Sequence, residues 1–346
     1  MSTKAINRVR ISKIIVEAKD AKSFVLEPLD GWQPQYRPGQ FITLVFYTAH
    51  GEKRRSYSFS SAPGLDEPMT ITVKKVDNGE FSRWLVYEAV QGDILFTSGV
   101  SGFFQLPDIP DTVEQYVFLA AGSGITPCFS LIKTLLFTTT SKVLLIFSNR
   151  TREDAIFYEM LKDLEERFPA RMHTRFLFSN KFNVYESRLS KWLLLQLLEK
   201  HVIADHNKVL FYLCGPQDYM QTITITLLGK AIQAANILKE NFSTLPRLVV
   251  PRPPDSDPHE VIIHFQHDVH RLIVQYPKSI IGAAKDKGIE LPYSCEAGRC
   301  GSCAATCISG KIWMAYNEVL MEDEIARGRV LTCQGFPVGG NAEIIF

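Results

Sequence analysis

Four cysteines near the C-terminus, Cys295, Cys300, Cys303 and Cys333, follow the spacing C-x4-C-x2-C and then a long gap. A fold that uses them must wrap one tight loop around three thiolates and bring a distant strand to the fourth. That spacing is the one by which four thiolates hold a plant-type [2Fe–2S] cluster. A zinc site favours paired C-x2-C knuckles, and here the far partner is a single cysteine. Gly298 and Gly301 fit a loop wound on sulfur, since it needs positive φ and inward-pointing amides. Arg299 adds positive charge there. Cys307 lies outside the pattern and reads as a small core residue.

The chain of 346 residues is too long for one ordinary core and fits two or three domains. With 46% hydrophobic and 22% charged residues it has the composition of a soluble globular protein. A net charge of +1 supplies no broad basic field, so no nucleic-acid partner is expected. Met1 to Arg10 lacks an apolar h-region, and no apolar stretch reaches the roughly eighteen residues of a membrane span. Seven cysteines, an odd number grouped as ligands, point to a reducing cytoplasm.

From Arg8 to about Pro110 short alternating runs are broken by Gly and Pro: Val9–Val16, Ser23–Glu27, Phe41–Tyr47, Met69–Lys75 and Asp93–Thr97. The pattern predicts an antiparallel barrel over 1–110, with one helix at Ser82–Ala89. Over 111–242 the texture alternates between strand (Tyr116–Ala121, Val143–Phe147, Thr174–Phe178, Val209–Leu213) and helix (Asp154–Phe168, Leu189–Leu198). That is the signature of a parallel sheet with crossover helices. Residues 243–258 carry Pro246, Pro251, Pro253, Pro254 and Pro258 and read as a stiff linker. In 259–346 a hairpin (Glu260–His267, Val269–Tyr276) and a helix (Ile280–Lys287) precede the cysteine loop. His264, His267 and His270 fall on different faces of that hairpin and read as solvated polar positions.

Three further motifs carry chemistry. Arg55-Ser56-Tyr57-Ser58-Phe59-Ser60-Ser61 combines a guanidinium, aromatics and hydroxyls, which suits a flavin's flat ring, N5 edge and phosphate. Gly79-Glu80-Phe81-Ser82 opens a helix whose N-terminal amides can meet a pyrophosphate. Ala121-Gly122-Ser123-Gly124-Ile125-Thr126-Pro127 joins strand to helix with two glycines, and the third glycine of the usual dinucleotide fingerprint is absent. Cys214-Gly215-Pro216 ends the fourth strand at the edge where open α/β sheets bind ligands.

Together these motifs resemble the ferredoxin–NADP reductase superfamily, in its oxygenase-reductase branch with a C-terminal plant-type ferredoxin domain. The resemblance runs from Pro38-Gly39-Gln40-Phe41 to Leu331-Thr332-Cys333-Gln334. It implies a multidomain protein: an antiparallel β-barrel FAD domain, an α/β nucleotide domain and an α+β ferredoxin domain of β-grasp type. By the resemblance Arg55, Ser56, Tyr57, Ser58, Gly79, Phe81 and Ser82 hold FAD. Gly122, Gly124, Thr126, Pro127, Cys214, Gly215 and Pro216 receive NAD(P)H, and Cys295, Cys300, Cys303 and Cys333 ligate the cluster. Ser58 and Cys214 are the candidate catalytic residues, beside the flavin and the nicotinamide. The match at Glu240-Asn241-Phe242 carries no assignment.

The implied chemistry converts a two-electron hydride donor into single electrons for a protein acceptor, which is what a flavin placed before a cluster does. That acceptor is expected to be an oxygenase, of the phenylacetyl-CoA epoxidase or ring-hydroxylase kind. A desaturase or hybrid-cluster-type protein as acceptor, or a redox sensor without turnover, are the alternatives. After the second strand of the sheet no carboxylate directly faces a ribose, and Arg150 and Arg152 favour NADPH over NADH.

Overall fold

Short runs rich in β-branched and aromatic residues, broken by Gly and Pro, build most of the first sheet. Its strands are β1 (Asn7–Ala18), β2 (Ala21–Pro28), β3 (Phe41–Thr48), β4 (Gly51–Ser58), β5 (Thr70–Lys74) and β6 (Ile94–Ser101). In the computed structural model, which describes residues 6–49, 51–109, 112–180, 183, 187–243 and 251–346, they are antiparallel in the order β4-β3-β6-β1-β2-β5. A bridge between Phe59 and Ile71 joins the two ends, so the sheet closes into a barrel around Phe24, Ile42, Leu44 and Ile71. Helix α1 spans Glu80–Tyr87, two residues earlier than the sequence predicts. Gly79, not Ser82, is its N-cap, because Ser82 spends its hydroxyl on Val76 N–H and the Gly79 carbonyl.

The second half of this unit is a parallel sheet. Strands β7 (Gln115–Ala121), β8 (Lys142–Asn149), β9 (Met172–Phe178), β10 (Val209–Cys214) and β11 (Ile237–Glu240) lie in the order β11-β10-β7-β8-β9. Helices α2 (Ile125–Thr138), α3 (Tyr158–Arg167), α4 (Lys191–His201) and α5 (Gln217–Leu228) cross between them. Strands buried on both faces read as continuous apolar runs, which explains Tyr116–Ala120 and Val143–Phe147. Two apolar layers result, one holding Phe118, Leu131 and Phe147, the other Leu119, Leu194 and Leu213. α3 starts four residues later than the periodicity predicts, because Phe157 adopts φ 61°, a left-handed conformation that interrupts a helix.

The described chain divides into two compact units, 6–241 and 242–346. The second is a mixed sheet, β13 (Asp268–Val274), β12 (His259–Phe265), β18 (Ala342–Ile345), β14 (Ala304–Ser309) and β16 (Arg329–Leu331), in that order. β12 pairs parallel with β18 and antiparallel with β13. β15 (Ile312–Met314) pairs with β17 (Gly335–Pro337). Helix α6 (Ile280–Asp286), capped by the Ser279 hydroxyl, buries Ile280, Ile281 and Ala284, and a short α7 (Glu322–Ala326) precedes β16. The histidines of the hairpin behave as polar surface groups, His264 pairing with Glu343 at 2.5 Å. Residues 244–250 of the expected linker, with Pro246, lie outside the described residues. Asp255, further along it, binds His259 at 2.6 Å and the Gly339 amide at 2.7 Å.

Candidate functional site

On β4 successive side chains alternate faces, so Arg55 and Tyr57 point one way and Ser56 and Ser58 the other. The Arg55 guanidinium donates to the Arg54 carbonyl (2.7 Å) and lies 5.3 Å from the centre of the Phe81 ring, which stacks on Phe46. Two residues named from separate motifs, Arg55 and Phe81, thus meet. Ser56 shares a hydrogen bond with Thr43 across the β3–β4 ladder (3.1 Å). Burial pushes the Tyr57 phenol up, with Arg55 opposing weakly, so it stays a neutral donor. No side chain caps the first turn of α1, whose amides are therefore available to an anion.

At the carboxyl edge of the parallel sheet, Gly122 has φ 55° and leads through one 3-10 turn into α2. A Cβ on Gly124 would sit 2.1 Å from the Cys214 carbonyl oxygen and 3.0 Å from the Gly215 nitrogen. The two turns are therefore in direct backbone contact, and only glycine permits it. Thr126 Oγ1 and both amide atoms of Asn149 are buried there without a hydrogen-bond partner among the described residues. Buried polar atoms left unpaired cost roughly 1–3 kcal/mol each, so this edge carries the unmet polar capacity of a ligand site. Pro127 lies in the first turn of α2 and Pro216 immediately precedes α5. Arg150 is exposed at the end of β8. Arg152 pairs with Glu159 at 2.7 Å and stacks over Tyr158.

One further residue joins the barrel to the sheet. Ser58, 4% exposed, donates to Glu240 Oε2 at 3.1 Å, and Glu240 lies beside Cys214 in the β10–β11 register. Burial raises the Glu240 carboxyl to about 8, with the Ser58 hydrogen bond opposing. A carboxyl with that pKa holds and releases a proton near neutrality. Cys214 is fully buried, and its thiol is pushed up by burial first and by Glu240 second, so it remains a neutral thiol. Sequence reasoning missed Glu240. Its local signal is an acidic end to a four-residue strand, whereas its partner is 182 positions away.

In the second unit the cysteines fall into two contacting pairs, Cys295 with Cys300 and Cys303 with Cys333. Cys295 is held below the ordinary thiol range, first by the hydrogen bond from Cys300 and then by the amides of Ala297, Arg299 and Cys300. Cys300 and Cys333 are pushed up, first by the hydrogen bonds they make to Cys295 and Cys303 and then by burial. Among the described residues no group of three or more His, Cys, Asp or Glu is placed to hold a single metal ion. Two pairs of thiols, each able to serve one iron, fit a two-iron cluster, and the sulfur-directed amides fit its negative charge.

Gly298, at φ 72°, leaves no room for a Cβ, which would lie 2.8 Å from the Tyr316 carbonyl oxygen. Thr332 bonds the Cys303 carbonyl through both its hydroxyl (2.9 Å) and its amide (3.1 Å), which fixes the fourth cysteine's strand to the loop. Arg299 turns out to be committed elsewhere: it pairs with Glu318 at 3.5 Å and donates to the Ser243 carbonyl at 3.1 Å, so its charge is matched. Cys307 is half-buried and not in the core. A bulge between Cys307 and Ser309 interrupts its ladder, and its thiol donates to the Ser309 carbonyl at 3.3 Å.

Comparison with known proteins agrees with this division. The model for a 2Fe-2S iron-sulfur cluster binding domain matches residues 268–338, and that for an oxidoreductase NAD-binding domain matches 118–224. The chain is 30% identical to the ferredoxin reductase component of 3-ketosteroid-9-alpha-monooxygenase from Rhodococcus rhodochrous, over 97% of this chain and 95% of that one. It is also 30% identical to one of the subunits of 1,2-phenylacetyl-CoA epoxidase from Escherichia coli K12, covering 97% and 96%. Among solved structures, phthalate dioxygenase reductase shares the fold, with a TM-score of 0.59 and 21% identity over 99% of this chain and 98% of that one. The chain belongs to the family of reductase components of multicomponent oxygenases, oxidoreductases that pass electrons from NAD(P)H through FAD to a [2Fe-2S] cluster.

Proposed function

We propose that this reductase takes its hydride from NADPH at the Ser58–Glu240–Cys214 site and delivers electrons through Cys295, Cys300, Cys303 and Cys333 to an oxygenase. The observation that carries the reading is the Ser58–Glu240 hydrogen bond, which joins the barrel motif to the edge of the parallel sheet at the Cys214 register. When bound, the flavin supplies the step from paired to single electrons.

The chain's residues do the rest. Arg55 meets phosphate, Tyr57 supplies a neutral face, and Ser58 stands at the ring edge with its hydrogen given to Glu240 behind it, whose carboxyl holds a proton. Gly79 caps α1 and, with Phe81 and Ser82, forms the turn whose uncapped amides would face the pyrophosphate. Gly122, Gly124, Thr126 and Pro127 on one turn, and Cys214, Gly215 and Pro216 on the other, receive the nicotinamide nucleotide. Cys214, being small and uncharged, lets a planar ring lie close without repelling it. Domain limits at 1–110, 111–242 and 259–346 follow from these assignments.

For the coenzyme, the exposed Arg150 is the group free to meet a 2′-phosphate, whereas Arg152 would have to leave Glu159. All seven cysteines are free thiols, which supports a reducing cytoplasm as the site of action. The relatives are components of a steroid monooxygenase and an acyl-CoA epoxidase, and a partner oxygenase of either kind suits the reading.

Anaerobic titration of the holoprotein with NADPH and NADH tests the coenzyme assignment. Arg150→Ala should weaken NADPH binding about tenfold, the worth of one charge-assisted hydrogen bond, and leave NADH unchanged. Equal effects on both nucleotides would remove Arg150 from that role.

A further inference from the structure

Two of the amides directed at the Cys295 sulfur are aimed from the far side of their own peptides. A trans peptide is planar, and its N–H and C=O point in opposite directions. The peptides of the 295–303 loop are trans. The Ala297 N–H donates to Cys295 Sγ at 3.4 Å, and the carbonyl of the same peptide, that of Glu296, accepts from Gln334 Nε2 at 2.9 Å. The Arg299 N–H also faces Cys295, and the carbonyl of its peptide, that of Gly298, accepts from the Glu318 amide at 2.9 Å. Each plane is thus gripped at its oxygen end by a donor from outside the loop.

Of the two grips, one is a side chain. Gln334 directly follows the fourth cysteine and is 9% exposed. Its own backbone is fixed, the amide donating to the Leu331 carbonyl at 3.0 Å and the carbonyl accepting from the Ala315 amide at 2.9 Å. Its Cγ lies against Gly298, 3.1 Å from where a Cβ there would stand. A carbonyl only accepts, so the nitrogen of the Gln334 amide is the end that meets Glu296.

The 296–297 peptide does not keep that orientation unaided. Glu296 has φ 53°, a left-handed conformation that a residue with a Cβ adopts at a cost. The Glu296 carboxylate pairs with Lys285 at 2.7 Å, but that pair is exposed and ends on a rotatable side chain, so it leaves the peptide plane unset. A hydrogen bond received at the carbonyl also polarises the peptide and makes its N–H a stronger donor.

We propose that Gln334 is a positioning residue for the cluster: its side-chain amide turns the 296–297 peptide so that the Ala297 N–H faces the Cys295 sulfur, and by that contact raises the reduction potential. The inference rests on the assignment of Cys295, Cys300, Cys303 and Cys333 as the cluster ligands. Reduction adds negative charge that spreads onto the sulfurs, and an N–H aimed at one of them stabilises the reduced form more than the oxidised one.

The test is a redox titration of the reconstituted full-length protein, followed by electron paramagnetic resonance, with iron and acid-labile sulfide measured on each sample. Gln334→Met keeps the length of the side chain and removes the donor. It should take up the cluster with a reduction equilibrium about threefold to tenfold less favourable than that of the wild type, a potential about 30–60 mV lower for one electron. Gln334→Glu should return to the wild-type potential at about pH 6, where burial keeps its acid protonated and able to donate. Loss of packing alone lowers the melting temperature without moving the potential, so an unchanged or raised potential in Gln334→Met would overturn the proposal. A Gln334→Glu potential that stays with that of Gln334→Met would do the same. So would failure of Gln334→Met to assemble the cluster, which would make the side chain a requirement of assembly and not of tuning. Absence of iron and sulfide from the wild type would instead remove the cysteine assignment, and the proposal with it.

Discussion

At the scale of single residues, the account turns on a carboxyl that no local signal marks. Glu240 is raised to about 8 from an ordinary value of 4.5. Between those limits the folded protein holds a proton that the unfolded chain has lost, so stability must fall as pH rises through the window, by on the order of several kcal/mol. Glu240→Gln should flatten that slope, measured as the urea midpoint of the flavin-free protein at several pH values. A wild-type midpoint that climbs over the same range would show that Glu240 is ionised in the folded protein and would remove it as a proton holder. The cysteines proposed to hold the cluster stood out because the spacing of three of them is itself a geometric constraint within nine residues, Cys295 to Cys303. Ser58 was legible from its tight motif. Glu240 was not, because its role depends on register with Cys214 and on a partner far away in the chain.

Among the elements, the turns between strand and helix carry the proposed nucleotide site. Gly124 is confined by the Cys214 carbonyl, so Gly124→Ala must push apart the two turns proposed to receive the nucleotide. We expect a loss of about 1–3 kcal/mol in stability from the forced overlap and at least a tenfold weakening of nucleotide binding, with the cluster spectrum unchanged. Calorimetry of nucleotide binding and a thermal melt check both, and unchanged binding would show that the turns do not act together.

The alternation of β1 over Arg8–Ser12 was readable, as were the apolar runs of β3, β7 and β8. β4 escaped because its residues are charged or hydroxylated, Glu52, Lys53, Arg54, Arg55, Ser56, and its pairing with β3 comes from tertiary contact and not from β-propensity. β11 escaped because four residues are too few for a period to show. The start of α3 was misplaced because a left-handed Phe157 ends the preceding loop in a conformation that apolar periodicity does not record.

For the whole molecule, the chemistry divides between a unit that handles nucleotide and flavin and a unit that handles single electrons. Composition and glycine-proline punctuation made that division visible, since barrel, α/β and cysteine-loop textures follow one another along the chain. The most direct test is electron paramagnetic resonance of the reconstituted protein, frozen after anaerobic addition of NADPH, for wild type and Cys300→Ser. The account predicts the signal of a reduced [2Fe-2S] cluster in the wild type. In the variant that signal should be gone, while NADPH-dependent ferricyanide reduction persists. No cluster signal in the wild type, or loss of ferricyanide reduction together with the cluster, would contradict it.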